Sequence, residues 1–185
     1  MAWEQRLAPR LQLSGSLFEN DVSELITQVR GADDTLDGLY YGNSDRVTAR
    51  GVEVELQGEL PGRARARLAQ VYQSAAFVSG RRISNSPRTI STVVVDVPVG
   101  RTETVLGFNG HYVGERRSVT AGVVPGAFVG NLSLSRRAAR RGLGIGVTIY
   151  NVFNASYGDP GSVEHRQDVL PQDGRTALAR LSWRF

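Results

Sequence analysis

The sequence predicts an all-β fold, an antiparallel transmembrane β-barrel sheet of about eight strands. Three observations carry that expectation. Apolar and polar residues alternate with a period of two in stretch after stretch. The connections between these stretches alternate strictly between short and long. The apolar faces are rich in alanine and glycine, too slight to fill the dry core of a soluble sheet.

In the first strand, expected over 10–29, Leu11, Leu13, Gly15 and Leu17 oppose Gln12, Ser14, Ser16 and Phe18. Over 45–60, Val52, Val54 and Leu56 oppose Glu53, Glu55 and Gln57. Over 62–77, Ala64, Ala66 and Leu68 oppose Arg63, Arg65 and Arg67. The stretch 88–98 is more uniformly apolar, and its β-branched residues favour a strand. The alternation over 101–114 is less clean: Thr104, Leu106, Phe108 and Gly110 oppose Val105, Gly107, Asn109 and His111. Over 127–136, Phe128, Gly130, Leu132 and Leu134 oppose Val129, Asn131, Ser133 and Ser135. Over 141–152, Leu143, Ile145, Val147 and Ile149 oppose Gly144, Gly146, Thr148 and Tyr150. In the last strand, over 174–185, Ala177, Ala179, Leu181, Trp183 and Phe185 form the apolar face. Residues 2–7 read as the stump of a ninth strand.

Ala8-Pro9, Pro61-Gly62, Val99-Gly100 and Arg137–Arg140 make the short turns. The stretches 30–44, 78–87, 115–126 and 153–173 make the long ones. Tight turns at one end of a sheet and long loops at the other are the pattern of an outer-membrane barrel. Parity then puts Phe185 at the short-turn, periplasmic end. Three guanidiniums on one strand face, Arg63, Arg65 and Arg67, do not enter a dry core without partners. They suit a water-filled lumen, with Glu53 and Glu55 facing them from the preceding strand and Ala64, Ala66 and Leu68 turned to lipid. The competing reading is the solvated face of a soluble sheet.

The formal charge is +4, the pI about 9.9, and all 22 basic residues are arginine. A basic balance admits nucleic acid as a partner. However, Arg81-Arg82, Arg116-Arg117 and the run Arg136, Arg137, Arg140, Arg141 fall in separate connections without interleaved aromatics, so no nucleic acid is expected. The outer pairs suit lipopolysaccharide phosphates or an anionic ligand. The absence of cysteine excludes disulfides and thiolate metal sites. No run approaches the roughly 20 apolar residues of a membrane helix. The opening MAWEQRLAPRL lacks the charged-then-apolar profile of a secretory signal.

Several stretches, in order, resemble the C-terminal barrel portion of the TonB-dependent outer-membrane receptors: SLFENDVSELI, RVTARGVEVELQGEL, ISNSPRTIS, IYNVFNASYGDPG and LPQDGRTALARLSWRF. The resemblance spans nearly the whole chain, 1–185. It implies part of a larger, plugged barrel of 22 strands in the bacterial outer membrane. It also implies uptake of a scarce ligand such as a ferric siderophore. Ala177, Ala179, Leu181, Trp183 and Phe185 would then form the signal read by the outer-membrane assembly machinery. TonB would act only through a plug domain that this chain lacks, so the chain alone is not transport-competent. The implied surroundings are outer-membrane lipid and lipopolysaccharide. Two alternatives stand beside this reading: a self-contained small outer-membrane barrel with a structural or adhesive role, and a soluble basic β-protein that binds nucleic acid or sugar.

No enzyme constellation stands out, and neither a cofactor nor a metal is expected. His111 and His165 are the only histidines. A metal or acid/base site built from Glu164 and His165 with Asp159 and Asp168 needs a specific geometry that the sequence does not supply, so they read as polar residues on a solvated loop. The glycines of RGLGIGVTIY precede β-branched residues, not a helix, which excludes a dinucleotide loop and leaves them to make room for neighbours inside the barrel. The long loop 153–173 offers Tyr157, Glu164, His165 and Arg166 as candidate ligand contacts.

The facing assignment makes the first testable prediction. Leu181→Arg, turned to lipid near the midplane, is expected to cost about 2–4 kcal/mol, and Arg180→Leu far less. Equal effects of the two in a refolding titration in lipid would contradict the assignment.

Overall fold

Each alternating stretch pairs with its neighbour in sequence. The computed structural model describes residues 1–30, 39–43, 46–100, 103–136, 142–162 and 164–185. Nine strands form one antiparallel sheet: β1 (Ala2–Ala8), β2 (Leu11–Val22), β3 (Val47–Glu59), β4 (Arg65–Phe77), β5 (Thr89–Val99), β6 (Thr104–Val113), β7 (Ala127–Arg136), β8 (Gly142–Tyr150) and β9 (Thr176–Arg184). Their spatial order is their chain order, so every connection is a simple up-and-down link. Strands β1 and β9 are the two edges and do not pair with each other. A self-contained small barrel would need that pairing.

Opposed residues in an antiparallel ladder share a face, and the register therefore reads out both faces. Leu13, Leu56, Leu68, Val93, Gly110 and Gly130 form one continuous cross-strand row. Glu4, Ser14, Glu55, Ala69, Thr92, His111 and Val129 form a row on the opposite face. The last strand continues the apolar face, with Ala177, Ala179, Leu181 and Trp183 opposite Ile149, Val147, Ile145 and Leu143. Few side chains of this apolar surface are fully buried. Among the described residues only Val47, Ala64 and Val124 are buried hydrophobics, whereas Leu181, Trp183 and Phe185 are 71%, 62% and 97% exposed.

Two strand boundaries differ from expectation. The strand expected over 10–29 stops at Val22, because Glu24 takes a left-handed φ of 57° and turns the chain away. Ile26–Arg30 instead pairs with Leu39–Asn43 in a separate ribbon. The strand expected from residue 62 begins at Arg65, since Pro61, Gly62 and Arg63 form a single 3₁₀ turn with φ of 77° at Gly62 and 62° at Arg63. Arg63 therefore lies in the turn and does not stand on the strand face with Arg65 and Arg67. The stump at 2–7 is a full strand, β1. The Arg137–Arg140 turn lies outside the described residues, as do Arg141 and much of 30–44. The long loops on either side of β7 and β8 carry two more ribbons, Arg116–Arg117 with Val123–Val124 and Gly158–Pro160 with Val169–Pro171.

Glycines on the apolar face have a steric task. Gly110 and Gly130 are directly opposed, and Phe153, Phe128 and Phe108 lie over the notch they leave. The Phe153 ring centroid is 5.9 Å from that of Phe128 and 6.4 Å from that of Phe108, the latter pair edge-to-face. A Cβ on Gly130 would fall 2.6 Å from Phe153 Cε2. The expectation that the glycines of β8 make room for neighbours is not met at Gly142 and Gly146: a Cβ on Gly142 meets nothing within 4 Å, and one on Gly146 only Ser135 Cβ at 3.9 Å. Gly130→Ala is expected to cost about 1–3 kcal/mol by overpacking, whereas Gly146→Ala should be close to neutral. Denaturant midpoints of the two variants check this.

Candidate functional site

Two regions gather polar side chains: the cluster of long loops and the polar sheet face. In the loops Arg116 is the joint. Its sequence context is charged, yet only 8% of the residue is exposed. Arg116 Nη1 donates to Asp159 Oδ1 at 2.6 Å and to Asn85 Oδ1 at 3.3 Å, and Nη2 donates to the Gly158 carbonyl at 2.9 Å. The Asn85 N–H returns a bond to the Arg117 carbonyl at 2.8 Å. One guanidinium thus ties the loop after β4 and the loop after β8 to the loop after β6. A second seam lies beside it. Thr120 Oγ1 donates to Asp168 Oδ1 at 2.6 Å, and the Gly122 N–H donates to Ser118 Oγ at 2.9 Å. The hydroxyls of Thr120 and then Ser118 hold the Asp168 carboxyl below its ordinary pKa.

The last long loop is fastened where it leaves β8. Asn151, 2% exposed at a φ of 48°, donates its N–H to Asn131 Oδ1 and exchanges two 2.9 Å bonds with the backbone of Ala155. Asn154 Oδ1 accepts the Arg175 N–H at 3.0 Å, which closes the loop where it returns to β9. In the run Asn-Val-Phe-Asn the two asparagines are clamps and Phe153 is the ring over the glycine notch.

The four loop residues expected as ligand contacts do not converge. The Tyr157 carbonyl accepts the Gln172 N–H near the start of the Gly158–Pro160 ribbon. Glu164, His165 and Arg166 lie beyond that ribbon, and the His165 ring Nδ1 is 2.7 Å from Ser162 Oγ. Arg116, expected as a cation for an external anion, is committed inside the loop cluster. Arg81 lies over its neighbour Phe77 at 4.5 Å from the ring centroid. His111 sits on the polar sheet face, its Nδ1 3.3 Å from Thr92 Oγ1. The residues that the sequence did not bring together are Asn85, Arg116 and Asp159. Their only signal was separate polar motifs in different loops.

On the sheet face, Glu53, Glu55, Arg65 and Arg67 share one side. Arg67 Nη2 bonds Glu55 Oε2 at 2.6 Å, and Ser16 Oγ donates to Glu53 Oε2 at 3.4 Å. At the short turns Arg10 Nη1 meets Glu59 Oε1 at 3.2 Å. By register, Glu4, Glu55 and Glu53 form a band farther from the short turns, and Arg6, Arg67 and Arg65 form a band nearer to them.

The sequence profile described as TonB dependent receptor-like, beta-barrel, matches residues 3–152. The chain belongs to the TonB-dependent receptor family. It is therefore part of a receptor family and not of an enzyme family. Solved structures carry the same sheet. The ferric-catecholate import receptor Fiu of K12 E. coli, in its closed form, is 19% identical with a TM-score of 0.70, covering 100% of this chain and 27% of that one. The copper transporter OprC is 16% identical with a TM-score of 0.75, over 97% of this chain and 30% of that one. The ferripyoverdine receptor of the outer membrane of Pseudomonas aeruginosa, bound to ferripyoverdine, is 17% identical with a TM-score of 0.70, over 98% and 26%. At such identities the likeness shows the fold. The chain spans under a third of the length of these structures. No curated protein matches it in sequence.

Two outcomes follow from the loop seams. Arg116→Leu removes charge-assisted bonds contributing about 1–3 kcal/mol, so proteolysis in 155–172 should quicken while the sheet persists. The Asp168 pKa is depressed in the folded state, so its stabilisation is present above the unfolded-state value of about 3.9. That stabilisation is lost as pH falls through the folded value. Hydrogen-exchange protection at 118–122 should drop on acidification below about pH 4, and Asp168→Asn should abolish that dependence.

Proposed function

We propose that this chain is barrel wall of an outer-membrane receptor for uptake of a scarce ligand such as a ferric siderophore. In this reading 1–185 is the C-terminal part of the barrel, and import also requires a plug domain and TonB. The observation that supports it is the two-faced sheet. A continuous apolar surface with few fully buried side chains on one side suits lipid, and a face carrying Glu53, Glu55, Arg65 and Arg67 on the other suits an aqueous lumen. With lipid outside, Trp183 and Phe185 fall in the girdle at the short-turn end, and lipopolysaccharide surrounds the long-loop end. Ala177, Ala179, Leu181, Trp183 and Phe185 would be the assembly signal.

The outer loops would be the ligand-facing side. Their seams at Arg116 and Asp168 supply a preorganised platform, from which Glu164, His165 and Arg166 project. The test is uptake of radio-iron on a catecholate siderophore by iron-starved source cells. Disruption of the gene should abolish uptake, and a protonophore should do the same in intact cells. Recovery of the protein from the soluble fraction without detergent would overturn the reading.

A further inference from the structure

The apolar face does not end at one row of the ladder. In β2 and β3 it runs up to Leu17 and Val52, and the next opposed pair on this face toward the long loops is Glu19 and Arg50. In β4 and β5 it stops at Leu68 and Val93. Above them Ser91 Oγ donates to Gln70 Oε1 at 2.6 Å, and Tyr72 stands opposite Thr89 beyond. In β6 and β7 the rings of Tyr112 and Phe128 occupy that Gln70–Ser91 row. In β8 and β9 the last opposed apolar pair is Ile149 and Ala177, in the row of Leu132 and Phe108. From β2 to β9 this boundary descends toward the short turns and never climbs back. Strands of a membrane barrel are tilted by about 35–45°, so a level of constant depth crosses the ladder rows at a slant. The polar and aromatic residues that end the apolar face follow one such level.

Phe153 lies on this level although it belongs to no strand. Strand β8 has ended at Tyr150, and the Val152 N–H donates to the Gly130 carbonyl at 2.7 Å, which carries the chain back across β7. The Phe153 ring then covers the Gly110–Gly130 notch, one row below Tyr112 and Phe128. A ring that served only to fill the notch would be buried by it, yet Phe153 is 62% exposed. On the polar face Asn131 accepts the Asn151 N–H, so the root of the last long loop grips the wall from both sides.

We infer that Phe153 is a membrane anchor, and that it fixes the root of this loop at the boundary between acyl chains and headgroups. The inference rests on the receptor reading in one respect, that the apolar face meets lipid. Aromatic rings gather at that boundary in membrane barrels. The notch accounts for the inner side of the ring, and acyl chains covering the rest of it add apolar burial. The hydroxyls of Tyr72 and Tyr112 and the charges of Glu19 and Arg50 then fall among the headgroups. The loop that bears Tyr157, Glu164, His165 and Arg166 therefore leaves the wall from a point set by the bilayer as well as by β8.

The experiment measures depth with a nitroxide spin label. The chain has no cysteine, so Phe153→Cys, Leu134→Cys and Glu164→Cys can each be labelled in the full-length receptor, with any cysteine elsewhere in it replaced by serine, and reconstituted in phosphatidylcholine bilayers. Collision with oxygen reports hydrocarbon, and collision with a water-soluble nickel chelate reports water. Oxygen should dominate at 134, the chelate at 164, and oxygen again at 153 but at a shallower depth than at 134. In the same bilayers Phe153→Ser should speed amide exchange over 151–156 about tenfold through loss of the ring contacts, and Phe153→Trp should not. Chelate dominance at 153 with oxygen dominance at 134 would overturn the anchor and leave the receptor reading standing. Chelate dominance at 134 as well would sink both. A label at 153 reached by neither reagent would mean that protein covers the ring, from elsewhere in the receptor or from a second copy, and would also overturn the anchor. So would unchanged exchange in Phe153→Ser.

Discussion

The register of one ladder governs everything else in this chain. Because side chains alternate strictly across a strand, a slip of one residue anywhere would exchange the apolar and polar faces beyond it. No such exchange occurs between Leu11 opposite Gly58 and Leu143 opposite Trp183. The row through Leu13, Leu56, Leu68 and Val93 is apolar, and the row through Ser14, Glu55 and Thr92 is polar. Among the described residues the one irregularity in the sheet's register is the step between Arg6 and Ala8 at the edge, where the shift affects only the turn into β2. Orientation of charge is thus inherited from pairing, and the turns at the short end fix the pairing. Pro61 cannot donate to a ladder, and Gly62 takes the positive φ that a tight return needs.

The two ends of the sheet solve opposite problems. The short-turn end needs only to reverse the chain, and a 3₁₀ turn with the Arg10–Glu59 pair suffices. The long-loop end must hold more than fifty described residues outside the ladder, and few apolar side chains among them are buried. It does so with polar joints: Arg116 to Asp159 and Gly158, Thr120 to Asp168, Asn151 to Ala155. Val124, 1% exposed, and Pro160 are the apolar side chains buried in these loops among the described residues. Polar joints of this kind are directional, so they set loop positions relative to one another where greasy contacts would let them slide.

The sheet was legible in the sequence because period two is a local signal with a large apolar contrast. GRARARLAQVYQ and TALARLSWRF declare their faces without help. The boundaries were less legible. Nothing in the composition near Val22 marks Glu24 as left-handed, since a positive φ at a non-glycine residue is a tertiary outcome. Arg63 looked like the first member of an alternating arginine series, but the backbone dihedrals of Pro61-Gly62 keep it in the turn. The loop seams were not legible at all. Arg116 and Asp159 lie in different loops and meet only because β6, β7 and β8 stand side by side. Arginine doublets in a loop read naturally as free cations, and only the fold shows which of Arg116 and Arg117 is buried.

The distribution of apolar surface also decides where stability comes from. A soluble sheet of this size would bury one face under a second layer, and here the apolar face has no such cover among the described residues. Exposed to water, that face would favour aggregation. Exposed to hydrocarbon, it needs no cover. Hydrocarbon in turn leaves no solvent for unpaired backbone groups, each of which costs several kcal/mol there. The outward edges of β1 and β9 then require partner strands, because the ladder supplies hydrogen bonds on one side of each only. The face and the edges therefore make one demand together: this sheet is stable as a sector of a closed wall in lipid, with its lateral hydrogen bonds completed by neighbouring strands and its apolar face completed by acyl chains.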